Sequence, residues 1–488
     1  MIASSSLAGR AFLAVLLMIG FYVLAMAIAA GLIYIPYAEM VLIHRVHLKL
    51  ALLCVIGALI ILWSVLPRFD SFEAPGPALT RERHPRLFDE LERVARAVGQ
   101  EMPAEVYLVH DVNAWVTQRG GIMGFGSRRV MGLGLPLMRV LTCPQFSAVL
   151  AHEFGHYHGG DTKLGPWIYK TRGAIGRTLG SLGDGSIIQL PFLAYGKMFL
   201  RITHSISRQQ EFVADALAAR AIGSGALMGG LRTIHAVGPA FNEYWFNECG
   251  PVLNAGYRPP LTEGFCQFVR VGKIAEAIEK QLDEELKTGK ADPYDTHPPL
   301  KERIAAVEHL PVGESGPNDP PATTLLNGVP ELEQELMKSV AGPELADKLK
   351  PIDWSEAGVQ VYLPQWTRLV QANTAVLTGL LPESLPHHAA DLKGFGQRCF
   401  DHSGVAPAEE QAELLGAAVV GSALVVTLAN KGAKAHAMPG TPISVSLGAM
   451  QFEPFEVMTA LAKGTLTPSD WEQQCRDLGI DGVPLING

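Results

Sequence analysis

The chain has no CxxC pair and only six cysteines in 488 residues. Cys54, Cys143, Cys249, Cys266, Cys399 and Cys475 are scattered. That excludes a disulfide scaffold and a cysteine zinc site, and fits reduced thiols in a part that faces a cytosol. Charge is scarce too, at 18% of residues against about 25% in soluble domains. No basic excess exists: 40 Lys and Arg stand against 48 Asp and Glu, a net charge of −8. A general nucleic-acid binder would carry a basic face, so nucleic acid is not an expected partner. The 50 glycines follow no fixed period, which excludes a collagen-like chain. Apolar residues are abundant, at 48%. They exclude global disorder, and the length allows about two or three modules.

Apolar residues concentrate at the N-terminus. Residues 11–38 form a run of 28 without a charge, and residues 50–67 a second of 18. About 20 residues cross the hydrocarbon core, so both read as transmembrane helices, with Trp63 placed as an interfacial anchor. Ala27-Ile28-Ala29 could serve as a leader cleavage site. The length of the run and the second span behind it favour an anchor. Arg10 precedes the pair, and Arg68, Arg81, Arg83 and Arg86 follow it, against Arg45 and Lys49 in the connection. The positive-inside rule then puts both ends in the cytoplasm.

Beyond a linker over 69–77, residues 79–98 have helical period, with Leu87, Leu91, Val94 and Val98 on one face. Short strands are predicted over 105–109 and 128–135. Thr142 and Gln145 form a capping box with Pro144 in the first turn. The helix they open should run to Gly159-Gly160. Residues 186–206 are apolar but carry Lys197 and Arg201. A buried or interfacial helix fits better than a third span, because central charges are costly in lipid. A second helix should follow, ending near Gly223. Residues 273–288 read as a charged surface helix. Four prolines within 311–321 mark the clearest domain boundary. Past it, 331–350 and 471–478 look helical, 443–447 alternates like a strand, and 414–429 is apolar but short for a span. No catalytic motif is visible there.

The chemistry lies in His152-Glu153-Phe154-Gly155-His156, an HExxH. On a helix, positions i and i+4 share a face, so both imidazoles reach one metal. Glu153 beside them can address a water held there. Downstream, Glu211 and Asp215 are again i and i+4 in an apolar stretch, where unpaired carboxylates would be expensive. One can bind the metal and the other can fix the tautomer of a ligand histidine. His158 and Asp161 read as polar residues at a helix end. No HxxGxxH follows His156, so the metzincin pattern is absent.

Four blocks together resemble the membrane-associated zinc metallopeptidases that include HtpX and the type I CAAX prenyl proteases. They are Asn113-Ala114-Trp115-Val116, the HEFGH block, Ser207-Arg208 with Glu211 and Asp215, and Thr296-His297-Pro298-Pro299 with Arg303-Ile304. The match covers about residues 80–310. The resemblance implies one Zn2+ per chain on His152, His156 and Glu211, with Glu153 as general base and proton shuttle. It implies that Asp215 backs a ligand, that Asn113 lies on the substrate side, and that His297 stabilises the oxyanion. It also implies that strand 128–135 is an edge on which an extended substrate adds, through Arg128, Val130 and Gly132. Two spans here, rather than four or seven, cannot build a closed membrane chamber, so a CAAX substrate is not expected.

The expected architecture is multi-domain. A two-helix transmembrane anchor (1–70) precedes a mainly α, gluzincin-like peptidase domain with a small sheet (71–312). A Pro-rich linker (313–330) and a C-terminal α+β domain (331–488) follow. The expected function is zinc-dependent endopeptidase action on membrane or misfolded proteins at the inner face of a bacterial-type cell membrane. Its expected partners are protein substrates and the lipid bilayer. The distal domain is the place for self-association or a partner. The competing reading is a non-proteolytic or latent zinc-containing membrane scaffold or chaperone gated by that domain.

Overall fold

The computed structural model describes residues 4–66, 72–119, 127–157, 165–183, 185–290, 292, 295–314, 316, 318–401 and 409–486. Two compact units divide the chain. One comprises 1–238 and 278–340, the other 239–277 and 341–488.

In the first unit, α1 (Ser4–Ile43) and α2 (Leu48–Val65) realise the two apolar runs. Both are long and apolar enough to cross a membrane. They pack along each other and against α5 (Gly165–Leu182) and α6 (Gln189–Ala221). Phe21, Ala58, Ile61, Ala174, Phe192 and Phe199 form the shared core of this four-helix arrangement. The apolar stretch over 186–206 does not end before a second helix, as the sequence suggested. α6 is one helix of 33 residues.

Beside these helices lies a four-stranded sheet of order β1-β2-β4-β3. Its strands are β1 (Ala78–Leu79), β2 (Glu105–Val109), β3 (Ala114–Arg119) and β4 (Arg128–Gly134). The predicted strands at 105–109 and 128–135 are present, and β3 is additional. β2 pairs β4 in parallel and β3 pairs β4 antiparallel. β4 therefore has neighbours on both sides and offers no edge. The expectation that Arg128, Val130 and Gly132 lie on an open edge is overturned. Each has a structural partner instead. Arg128 Nε pairs with Glu105 Oε1 at 2.7 Å, Val130 is buried, and a Cβ on Gly132 would lie 2.3 Å from the Trp115 indole. Among the described residues the free edge beside β4 belongs to β3.

Two helices flank the sheet. α3 (Pro85–Ala97) buries Leu87, Leu91 and Val94 along the predicted face. α4 (Cys143–Gly155) opens on the capping box, where Gln145 Oε1 accepts from the Thr142 N–H at 3.1 Å. α4 ends at Gly155, sooner than its sequence suggested, and Gly159, Gly160, His158 and Asp161 lie outside the described residues. α7 (Leu300–Val307) and α8 (Val329–Ala341) also belong to this unit.

The Pro-rich segment is not a free linker. The Ser224 and Gly225 N–H groups donate to the carbonyls of Pro311 and Val312, and the Cys143 N–H donates to that of Pro320. The Ala322 N–H returns a bond to the Leu141 carbonyl at 2.9 Å. α8 then buries Leu332, Leu336 and Met337 in the first unit. The division between units falls after Val340, not within 313–330.

The second unit centres on α9 (Glu409–Asn430), whose Val419, Val420, Ala423, Leu424 and Leu428 are fully buried. α9 is also apolar enough for a span. Its burial among Phe395, Leu377, Trp471 and Ile480 makes it a core helix. A small antiparallel sheet of β5 (Lys434–His436), β6 (Ser444–Leu447) and β7 (Met450–Phe452) covers part of that core.

Candidate functional site

α4 and α6 bring the motif together. They approach closely because Gly155 faces Ala214, where a Cβ on Gly155 would meet the Ala214 Cα at 3.0 Å. Small residues at both positions set the depth of contact. His152 Nε2 lies 3.5 Å from Glu211 Oε2, and His156 Nε2 lies 3.5 Å from Glu211 Oε1. Tetrahedral zinc with ligands at 2.0–2.1 Å places neighbouring donor atoms about 3.4 Å apart. Both histidine–carboxylate spacings therefore suit one ion. His152, Glu153 and His156 also hold their donor atoms within 4.8 Å of one another. Glu211 Oε2 is buried and, among the described residues, meets no aligned hydrogen bond. It nevertheless lies 3.5 Å from His152 Nε2, 3.2 Å from His297 Nδ1 and 3.4 Å from Arg303 Nη2, ion-pair distances that mark it as an anionic centre.

The two carboxylates of α6 separate their roles geometrically. Asp215 Oδ1 is 2.9 Å from His152 Nδ1, so the other ring nitrogen is the one turned to Glu211. Arg303 of α7 grips Asp215 with two bonds, Nη2 to Oδ1 at 2.7 Å and Nε to Oδ2 at 2.8 Å. His297, just before α7, sets its Nδ1 3.2 Å from Glu211 Oε2. Its own N–H donates to Asp295 Oδ1 at 2.9 Å. Arg208, one turn before Glu211, donates to the carbonyls of Asp292 and Asp295 and so ties this segment to α6.

The electrostatics follow from burial and pairing. Burial pushes the Glu153 carboxyl up to about 7, with His152 opposing and Glu211 adding to the rise. Burial pushes His156 down to about 4, helped by charge on His152. Burial also acts against His152, yet Asp215 and Glu211 outweigh it and raise it to about 10. Burial would raise Glu211, but His152 and His297 hold it far below the usual carboxylate range. Burial would raise Asp215 as well, and Arg303 and His152 bring it down.

The open edge of β3 faces this cluster. The Gly134 N–H donates to the Asn113 carbonyl, so odd-numbered residues of β3 bond to β4 and even-numbered ones point outward. Accordingly, the Val116 N–H reaches the Glu153 carboxylate. Asn113 is exposed at the head of β3.

Residues 81–310 match the model of peptidase family M48. The chain carries a peptidase M48 domain. Its relatives include protease HtpX of Hahella chejuensis, 26% identical over 244 residues, which is 45% of this chain and 70% of that protein. Protease HtpX of Ectopseudomonas mendocina is 26% identical over 254 residues, 47% of this chain and 74% of that protein. An HtpX homologue of Archaeoglobus fulgidus is 24% identical over 257 residues, 47% and 69% respectively. No solved structure matches the chain. The M48 match makes this a metallopeptidase domain, of a family whose metal is zinc and whose substrates are proteins.

The structure brings together His152, Glu153, His156, Glu211, Asp215 and His297, and keeps Arg128, Val130 and Gly132 in the sheet. Sequence reasoning gave no role to Arg303 or Arg208. A signal for Arg303 was available: Leu300, Ile304 and Val307 mark the buried face of α7, and Arg303 lies on it. A buried arginine at a helical apolar face demands an acidic partner.

Proposed function

We propose that the chain is a membrane-anchored zinc endopeptidase that hydrolyses unfolded or extended protein segments at the inner face of a bacterial cell membrane. The observation that carries the reading is the 3.5 Å placement of both histidine Nε2 atoms on the two oxygens of Glu211, with Glu153 alongside. His152, His156 and Glu211 would hold one zinc ion. Zinc bound there supplies Lewis acidity, acidifying water and polarising a carbonyl.

The remaining steps belong to protein groups. A substrate strand lies along β3, pairing with the outward backbone groups of Ala114 and Gln118 and with the Val116 carbonyl. Asn113 borders that track. Glu153 accepts the proton of the attacking water and delivers one to the leaving amine. Burial suits it to both jobs, since a carboxyl held near neutrality can give as well as take. His297 donates to the developing oxyanion. Asp215, held by Arg303, keeps His152 in one tautomer.

The test is cleavage of casein by detergent-purified protein. Wild type should cut it and lose that activity on chelation. Glu153→Gln should keep one zinc per chain and lose about 100- to 10,000-fold in rate. Metal-free protein after this change, or equal cleavage by both, overturns the assignment.

A further inference from the structure

α5 and α6 are too polar for a full crossing and too apolar for water. Neither has the length and hydropathy of a span, and Arg172, Arg177, Lys197 and Arg201 interrupt them. Yet near their connecting turn Ile187 is 83% exposed and Leu190 57% exposed. The same end packs on the membrane helices. Phe192 meets Phe21 edge-on at 6.3 Å, and Tyr195 Oη donates to the Leu17 carbonyl at 2.6 Å. Ile188 lies beside Gly57, half-way along α2.

These contacts also put the cations of α5 and α6 within one slab. Arg177 Nε donates to the Ser64 carbonyl at the end of α2, and Arg172 Nη2 donates to Thr203 Oγ1. Leu17 is level with Tyr195. Arg201 is six residues from Tyr195 on α6, so it lies about 10 Å from that contact. Lys197 falls within the same slab, level with Arg177 and the end of α2. A band of cations on packed helices marks headgroup level.

We propose that the α5–α6 turn is seated half-way into the leaflet on the catalytic side, so that the metal site stands a fixed distance off the headgroups. Ile188 lies nine residues from Lys197 and thirteen from Arg201. That is about 14–20 Å, near half of a core about 30 Å thick. In the other direction Glu211 lies ten residues beyond Arg201 and fourteen beyond Lys197 on the same helix. The site is then about 15–21 Å from the membrane surface.

This deepens the proteolytic reading and rests on it: it names the substrate class. An extended strand covers about 3.3 Å per residue. A bond in a membrane-tethered chain reaches the site only when about five to six residues separate it from the bilayer. Bonds nearer the surface escape.

The test uses the full-length protein in proteoliposomes. A casein segment that the enzyme cuts in solution is grafted behind a single-span helix, with spacers from about two to about twelve residues. Cleavage should be absent at about two residues, begin near six and level off beyond. Equal cleavage at the shortest spacer overturns the standoff. Failure to cut the free segment would instead overturn the proteolytic reading, and the seating is then read without activity. An environment-sensitive fluorophore on Ile187→Cys, measured against equally treated unsubstituted protein, should emit as in hydrocarbon. Mid-chain nitroxide lipids should quench it. Water-like emission overturns the seating.

Discussion

Arg303 and Asp215 are the buried pair on which the site leans. Each neutralises the other out of reach of water, and His152 depends on Asp215 for its orientation. Removing one partner of such a pair leaves an uncompensated charge and costs about 3–5 kcal/mol. Arg303→Met should therefore lower the unfolding midpoint and weaken zinc binding about 10- to 100-fold, read by chelator competition. His297→Ala should keep zinc and stability, since its side chain is more than half exposed. Loss of one oxyanion donor costs about 100- to 1,000-fold in kcat. A change confined to KM would remove His297 from the oxyanion role. The HExxH and the ExxxD pair were legible at this scale because helical spacing alone puts each pair on one face. Which carboxylate takes the metal was not legible. That choice depends on where α4 and α7 come to lie against α6.

Helices meet here through their smallest residues. Gly155 and Ala214 permit the approach that sets His152 and His156 on Glu211. Gly155→Ala must push α4 from α6 by a few tenths of an ångström, because the neighbour is backbone. Overpacking of this kind costs about 1–3 kcal/mol. Zinc affinity should fall with it, although no ligand is touched. Unchanged affinity by chelator titration would show that the helices do not set the ligand spacing. The strands teach a different lesson. Each of β2 and β4 has a sequence signature, but the order of strands in a sheet has none at this length. β3 was hidden in a mixed segment, Ala114-Trp115-Val116-Thr117-Gln118-Arg119, and only its pairing with β4 shows which edge is free.

The chain enters the second unit twice, at 239–277 and again at 341–488. Within that unit, Trp354 Nε1 donates to the Pro260 carbonyl and the Gly440 N–H donates to Glu248. The Tyr244 ring lies tilted against that of Trp354, their centroids 6.1 Å apart. Truncation after Val340 would strip this cover from Tyr244, Leu261 and Phe265, which are fully buried. Each such side chain loses about 1.5–3 kcal/mol of burial. The truncated protein should aggregate or elute with misfolded material on size exclusion, masking any gain or loss of activity. A monodisperse, active 1–340 fragment would show that 239–277 folds without its partners. Truncation near Pro320 is worse placed, since it also removes Ala322 and α8 from the catalytic unit.

The sequence alone determined the two long apolar helices, the HExxH motif and the carboxylate pair Glu211 and Asp215 that accompanies it. These depend on local period and on the cost of burying charge, both readable along the chain. The tertiary structure decided the open edge at β3, the pairing of Arg303 with Asp215, the strap made by the Pro-rich segment and the joining of 239–277 with 341–488 in one unit. Those depend on which surfaces meet, and residues far apart in sequence carry no local mark of the partner they will find.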